Sequence, residues 1–240
     1  MVLLMELPIS CYQPGDPKEF EALTFDISFE TAQFRKHLLK MYRDTYMIPL
    51  PSTVVGIIGA ICGVKREFLK SFVSERRILT GATILGFEGL INEVATLIKM
   101  KDWREIIRTP VMSVILFRPN YRLAIASRDG SFIGELRDRL VHLDFEFDIY
   151  GGNDYNFVSC IGQPKDAKLS LSEEGEGICR LDDLKSIKGK GTLYLDDVND
   201  GKVSRYAFSL GTSIKTKQPL PIVDDGERRI FVHDPSKFLR

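Results

Sequence analysis

The segment PLPSTVVGIIGAICGV, from Pro49 to Val64, contains no charged side chain, and its apolar positions cover almost every face of a helix drawn through Val54–Ile61. A helix of that kind has to be buried on nearly all sides. Pro49 and Pro51 keep its entry extended, and Ser52 or Thr53 is placed to cap it. Gly56, Gly59 and Gly63 each cost about 1 kcal/mol against alanine inside a helix, so something gains from a missing side chain at each. That gain is close approach to a sheet or to a ligand. The apolar run Val54–Val64 is far shorter than the roughly 20 residues of a membrane span. A phosphate-cradling Gly-x-x-x-x-Gly-Lys-Ser/Thr loop is excluded too, because Gly63 is followed by Val64 and Lys65 with no hydroxyl after.

A chain of 240 residues with 44% hydrophobic and 28% charged side chains buries one large core or two modest ones, which excludes disordered and fibrous classes. The opening MVLLMELPIS has no basic flank and too short an apolar core for a signal peptide, so a cytoplasmic location and no membrane association are expected. Cys11, Cys62, Cys160 and Cys179 are too scattered for a zinc site or a disulfide framework and read as free thiols. Three separated histidines give no metal constellation, and no cofactor is expected. His142 reads as a helix C-terminal residue, and His233 follows a strand with no partner evident from the sequence. The formal net charge is zero, yet residues 31–128 hold 16 Lys+Arg against 7 Asp+Glu. Such a division suits one anion-binding face, although two ordinary solvated surfaces would look the same.

Leu23, Phe25, Ile27 and Phe29 alternate with Thr24, Asp26 and Ser28, the period of a half-buried strand. The connection TAQFRKHLLKMYRDTYM interleaves Phe34, Tyr42 and Tyr46 with Arg35, Lys36, Lys40 and Arg43, and is long for a passive loop. A second helix is expected over Arg66–Ser74, then strands or a hairpin through Ile98. Lys99, Lys101, Trp103, Arg104 and Arg108 form a basic patch around the single tryptophan. VMSVILF, a Pro119-Asn120 turn and YRLAIAS read as a hairpin edged by Arg118, Arg122 and Arg128. A helix over Ser131–His142, a strand at Phe145–Tyr150, the turn Gly151-Gly152-Asn153, and strands near 156–161, 192–195, 203–210 and 229–232 complete the chain.

The order strand, helix, hairpin, helix, strand predicts an α+β fold resembling the ferredoxin-like βαββαβ unit of RNA-recognition modules, followed by a β-rich annex. Basic residues interleaved with rings suit phosphate contact and base stacking. The Lys/Arg-Gly-Phe/Tyr-Gly/Ala-Phe signature of ordinary RNA-recognition motifs is absent.

The strand ALTFDISFE followed by AQFR, then TYMIPLPSTVVGIIGAICG, and later YGGNDYNFVSCIG, resemble the N-terminal and central signatures of CRISPR-associated protein family five over residues 20–162. That family is the RAMP-superfamily subunit of type I CRISPR surveillance complexes (Cascade). The resemblance implies a ferredoxin-like palm over residues 1–162 with a thumb hairpin inserted at about 75–110, and a C-terminal subdomain over 163–240. It implies a grip on the 5′ handle of the guide RNA (crRNA) and contacts with the backbone-forming and large subunits. By position, Arg35 corresponds to the basic residue after the first strand and Ser52 opens the first helix. Gly151 and Gly152 lie in the later glycine loop with Asn153, and Lys99, Lys101, Trp103 and Arg104 belong to the thumb. Lys36, Lys40, Arg43 and Tyr46 complete the expected RNA-contacting set.

One branch of the family cuts the repeat RNA with a tyrosine ahead of the first helix and a Lys-His pair further along. Tyr46 fits that tyrosine, but the single Lys-His dipeptide, Lys36-His37, precedes it. A tyrosine alone supplies no cation for the developing charge, so a non-catalytic subunit is expected. The alternatives are a repeat-specific, metal-independent endoribonuclease using Tyr46 with His37, and a protein-interaction module with no RNA role. Tyr46 itself reads equally as a cover on the edge of the core.

Overall fold

The computed structural model describes residues 17–36, 42–101, 105–153, 155–188, 193–199 and 202–238. β1 (Glu21–Phe29) follows the alternation of its sequence, with Leu23, Phe25, Ile27 and Phe29 all buried. Four two-residue strands come next: β2 (Thr31–Ala32), β3 (Phe34–Arg35), β4 (Tyr42–Arg43) and β5 (Thr45–Tyr46). α1 (Pro51–Cys62) is the buried helix that the apolar segment demands. Its N-cap is Leu50, not Ser52 or Thr53, and no side chain caps it. Pro51 at the first helical position has no N–H to satisfy, which removes part of the need for a capping oxygen. The Thr80 hydroxyl donates to the Pro51 carbonyl (3.0 Å) and the Tyr121 hydroxyl to the Met47 carbonyl (3.0 Å), so the start of α1 is pinned from the sheet below it.

A 3-10 turn (Arg66–Phe68) and α2 (Leu69–Arg76) lead into β6 (Leu79–Gly86). β7 (Gly89–Lys101) and β8 (Glu105–Phe117) pair in one register from Gly89↔Phe117 to Lys101↔Glu105. β9 (Asn120–Ser127) and α3 (Gly130–His142) follow, the helix capped by the Asp129 carboxylate. The remaining strands are β10 (Val158–Ile161), β11 (Lys165–Gly175), β12 (Ile178–Arg180), β13 (Leu184–Ile187), β14 (Leu193–Asn199), β15 (Lys202–Phe208), β16 (Ile214–Asp224) and β17 (Arg229–Phe231). The architecture is thus mixed α and β, mostly strand, with three α-helices among the described residues.

The main sheet runs β13-β16-β11-β1-β9-β6, with β10 also on β1 and β17 on β16. β10 and β11 share one edge of β1, at Ile27–Phe29 and Ala22–Thr24, while β9 occupies the other edge. Leu23, Phe25, Ile27 and Phe29 of β1 join α1, α3 and β9 in the largest core, and Ala22 joins Ala124, Ala126, Val223 and Ile230 in a second one. The division expected at residue 162 falls between β10 and β11, which both hydrogen-bond β1.

Three expectations are corrected. The segments 111–117 and 121–127 do not pair with each other: β8 pairs with β7, and β9 inserts between β1 and β6. Arg118 takes a left-handed conformation (φ 47) with its amide on the Glu30 carbonyl (2.9 Å), so the chain turns across the end of β1 and not back on itself. Residues 75–88, counted within the insert expected at 75–110, hold the end of α2 and β6, which pairs with β9 in the main sheet; the long antiparallel pair runs over 89–117. Residues 145–150 are not a strand: the amides of Glu146 and Phe147 donate to the Ile61 and Ala60 carbonyls (3.4 and 3.0 Å), satisfying the end of α1.

The basic edge expected from Arg118, Arg122 and Arg128 is internally compensated. Arg118 meets Glu30 and Glu88 (3.2 and 3.3 Å), and Arg128 meets Glu19 (3.0 Å). Arg122 is buried among Asp26 (2.7 Å), Asp225 (3.0 Å) and Glu227 (2.6 Å), tying β1 and β9 to the turn between β16 and β17. Burial alone would raise the Asp225 carboxyl. The amides of Arg228 and Glu227, the Thr24 hydroxyl and Arg122 outweigh it and hold the group below its ordinary range.

Arg122→Met strands that carboxylate without its cation, and chemical denaturation should show a loss of about 3–5 kcal/mol. Because the folded-state value of Asp225 is depressed, its contribution is complete above the ordinary carboxyl value of about 4 and disappears as pH falls below it. Melting curves should therefore drop below about pH 4, and Asp225→Asn should flatten that drop.

Candidate nucleic-acid interface

The basic connection after β1 is a set of short ladders built around one buried amide. β2 lies against the root of β8, β3 pairs with β5, and β4 runs parallel to β8 at Met112 and Ser113. Gln33 sits between them, fully buried. Its Nε2 donates to the carbonyls of Arg43 (3.2 Å) and Val114 (3.0 Å), and its Oε1 accepts from Asn153 Nδ2 (2.6 Å). Its backbone amide donates to the Gly151 carbonyl (2.7 Å). A buried amide costs least when all its groups are paired, and here one side chain clamps three segments that are distant in sequence.

The glycine turn is shaped by the same contact. A Cβ on Gly152 would lie 2.0 Å from the Gln33 carbonyl oxygen, at a φ of +99 that disfavours other residues. Thr31 donates to Asn156 Oδ1 (2.6 Å), and Asn156 Nδ2 reaches the Gly151 carbonyl (3.4 Å), closing the junction. The structure therefore brings Gly151, Gly152 and Asn153 together with Arg35, Lys36 and Arg43, which the sequence separates by more than 100 residues.

Within this junction the cations differ. Arg35 is exposed at the β3–β5 pair and Arg43 half-buried in β4; among the described residues neither has a carboxylate in ion-pair range. Lys36 is paired with Asp44, so its charge is compensated. Tyr46, expected at the RNA, is corrected: it is 2% exposed and packs its ring 6.3 Å from that of Phe208 in the main core. β5 points it inward because the β3–β5 register places it opposite the buried Phe34. Ser52 lies half-buried in the first turn of α1. Lys99 and Lys101 fall near the tip of the β7–β8 pair, opposite Ile107 and Glu105. Their side chains, and Lys40, Trp103, Arg104 and His37, lie outside the described residues.

The two described histidines have structural partners. His142 Nδ1 meets the Asp138 carbonyl at 2.8 Å. His233, for which the sequence offered no partner, has its Nε2 2.7 Å from the Ile178 carbonyl, and burial lowers its pKa. Cys62, Cys160 and Cys179 are free thiols. Burial pushes Cys62 up to about 11 and Cys179 to about 12, far from a reactive thiolate. Among the described residues no group of three His, Cys, Asp or Glu is placed to hold a metal, and no helix is long and apolar enough to cross a membrane.

Gln33 was missed by the sequence reading, although it stands inside the AQFR motif. A lone glutamine between Ala32 and Phe34 breaks no period and carries no charge, so only its three distant partners reveal its role.

A family model described as CRISPR-associated protein (Cas_Cas5) matches residues 22–93, from β1 through α1 into β7. The resemblance to CRISPR-associated protein family five is borne out over that segment, which carries the Gln33 junction and the glycine helix. Solved structures that align with the chain include a chain of a "CRISPR RNA-guided surveillance complex", 12% identical over 83% of this chain and 91% of that one, with a TM-score of 0.47. A "Cas protein" is 13% identical over 82% and 94%, at 0.41. A chain of a type III-B Cmr-beta complex bound to cognate target RNA and AMPPnP is 12% identical over 80% and 86%, at 0.45. No curated protein matches the chain.

Gln33→Leu keeps the volume but leaves the Val114 and Arg43 carbonyls without their side-chain donor, while the Asn153 amide keeps the Tyr155 hydroxyl (3.0 Å). It should cost about 1–3 kcal/mol per buried group left unpaired, seen in denaturation, with faster amide exchange in residues 151–156.

Proposed function

We propose that this chain is a non-catalytic, crRNA-binding subunit of a type I CRISPR effector complex, Cascade, and that it holds the 5′ handle of the guide RNA. The observation that supports this most directly is the pair Arg35 and Arg43. Both lack a carboxylate partner among the described residues and stand on a junction that Gln33 makes rigid, inside the segment matched by the family model. Cations held on fixed backbone contribute phosphate contacts without first breaking an internal ion pair.

The fold reading goes with it. The series β1, α1, β6, β9, α3, β10 with antiparallel sheet order β10-β1-β9-β6 is that of a ferredoxin-like palm over residues 1–162, with β7–β8 as its thumb and residues 163–240 as the annex. The thumb bears exposed Leu90, Val94, Ile98 and Met112, a surface suited to the backbone-forming or large subunit. The burial of Tyr46 supports the non-catalytic reading, since a general base enclosed in the core does not reach a 2′-hydroxyl. Cleavage then falls to a separate nuclease, in the same cytoplasmic compartment.

Protein drawn from its host should carry RNA whose 5′ ends converge on one short repeat-derived handle followed by diverse spacers; random RNA or none overturns the assignment. Arg35→Glu combined with Arg43→Glu should weaken handle binding at least about tenfold and reduce its salt dependence, with melting unchanged. In chelator, wild-type protein should leave repeat RNA uncut. Cutting that disappears in Tyr46→Phe would instead establish the endoribonuclease.

A further inference from the structure

The three glycines of α1 have three different explanations, and one of them is not internal. Gly63 ends the helix in a left-handed conformation (φ 73), with its amide on the Gly59 carbonyl. Gly59 is packed: a Cβ there would lie 2.6 Å from Leu69 Cδ2 and 3.2 Å from the Val64 carbonyl oxygen. Gly56 has helical backbone and nothing within 4 Å of where a Cβ would be. Neither the backbone nor the packing of this chain requires glycine at position 56, where alanine would favour the helix.

Gly56 opens instead into a groove of about 1070 Å³. Ser52, Gly56 and Ala60 recur at the four-residue spacing of one helix face and give the groove a line of small side chains. The chain beyond α1 adds Lys65, Arg66 and Lys70, against the carboxylates of Glu67 and Asp148. Among the described residues, none of these three cations has a carboxylate in ion-pair range, and Asp148 accepts from the Tyr150 hydroxyl (3.3 Å). Phe147, which is 45% exposed, and Phe238 contribute ring surface.

We infer that this groove is a second contact for single-stranded RNA, in which the strand lies against α1 at Gly56, bases meet the rings, and phosphates meet Lys65, Arg66 and Lys70. The inference rests on the RNA-binding reading above and extends it to residues outside the Gln33 junction. Uncompensated cations beside the exposed ring of Phe147 and the half-buried ring of Phe238, over a floor of small residues, match what a single strand offers, alternating charge and flat apolar surface. A small-residue helix face also suits a partner helix, but the surplus of unpaired cations favours a polyanion.

The test uses the full chain and a fluorescein-labelled oligouridylate of about 12 nucleotides, read by anisotropy. Gly56→Ala should raise the melting temperature by a few degrees, and Gly56→Leu, which fills the groove, should weaken RNA binding about tenfold or more without lowering it. Lys65→Glu, Arg66→Glu and Lys70→Glu together should lower the salt slope by about 2, since each lost single-strand phosphate contact removes about 0.7. A wild type that binds no RNA overturns the functional reading and this inference together. A wild type that binds, with Gly56→Leu and the triple variant equally tight, overturns the groove alone, as does a Gly56→Ala protein that melts lower. Gly56→Leu that keeps its RNA but loses a co-purifying protein assigns the groove to a partner helix instead.

Discussion

β1 is hydrogen-bonded along both edges and covered on both faces, and the rest of the molecule is arranged by that. Its ladder with β9 runs without a break from Glu21↔Ser127 to Ser28↔Asn120. β10 and β11 divide the opposite edge between them, so the chain after α3 has to return twice to the same strand. Since its large side chains face α1 and α3 and Ala22 faces the C-terminal strands, neither half of the chain completes its core without the other. Slipping the register by one residue would exchange these faces, which makes the pairing specific.

Charge in this protein divides into what holds the fold and what remains for a partner. Arg118, Arg122 and Arg128 look in sequence like one basic edge, yet each meets carboxylates from distant segments. The Arg122 cluster joins β1 and β9 to the β16–β17 turn, and at such depth the arrangement owes as much to the cost of an unpaired charge as to attraction. Among the described residues, Arg35, Arg43, Lys65, Arg66 and Lys70 are cations without that compensation. They flank α1 in sequence on both sides.

The junction at Gln33 shows how the position of surface cations is fixed by an uncharged group. A single side-chain amide holds the loop bearing Arg35 and Arg43, the root of the β7–β8 pair and the glycine turn at 151–153. Gly152 belongs to the same contact, because any side chain there would meet the Gln33 carbonyl. Rigid backbone beneath exposed cations is what allows short loops to present charge at fixed spacing.

By itself the sequence determined the local elements with strong periodicity: β1, the all-apolar α1, α3 with its clear face, and the apolar strand segments VMSVILF and YRLAIAS. It also carried the family signature around α1, and with it the family to which that segment corresponds. Only the tertiary structure decided which strands pair, since VMSVILF and YRLAIAS are each compatible with several partners and neither names one. β11 and β16, at 11 residues apiece, escaped notice because KDAKLSLSEEG and IKTKQPLPIVD mix charge and proline into their apolar positions, and long-range pairing supplies what local pattern lacks. The inward turn of Tyr46, the hidden role of Gln33 and the contrast among Gly56, Gly59 and Gly63 are likewise tertiary. Each depends on what lies a few ångströms away in space, and no spacing along the chain encodes that distance.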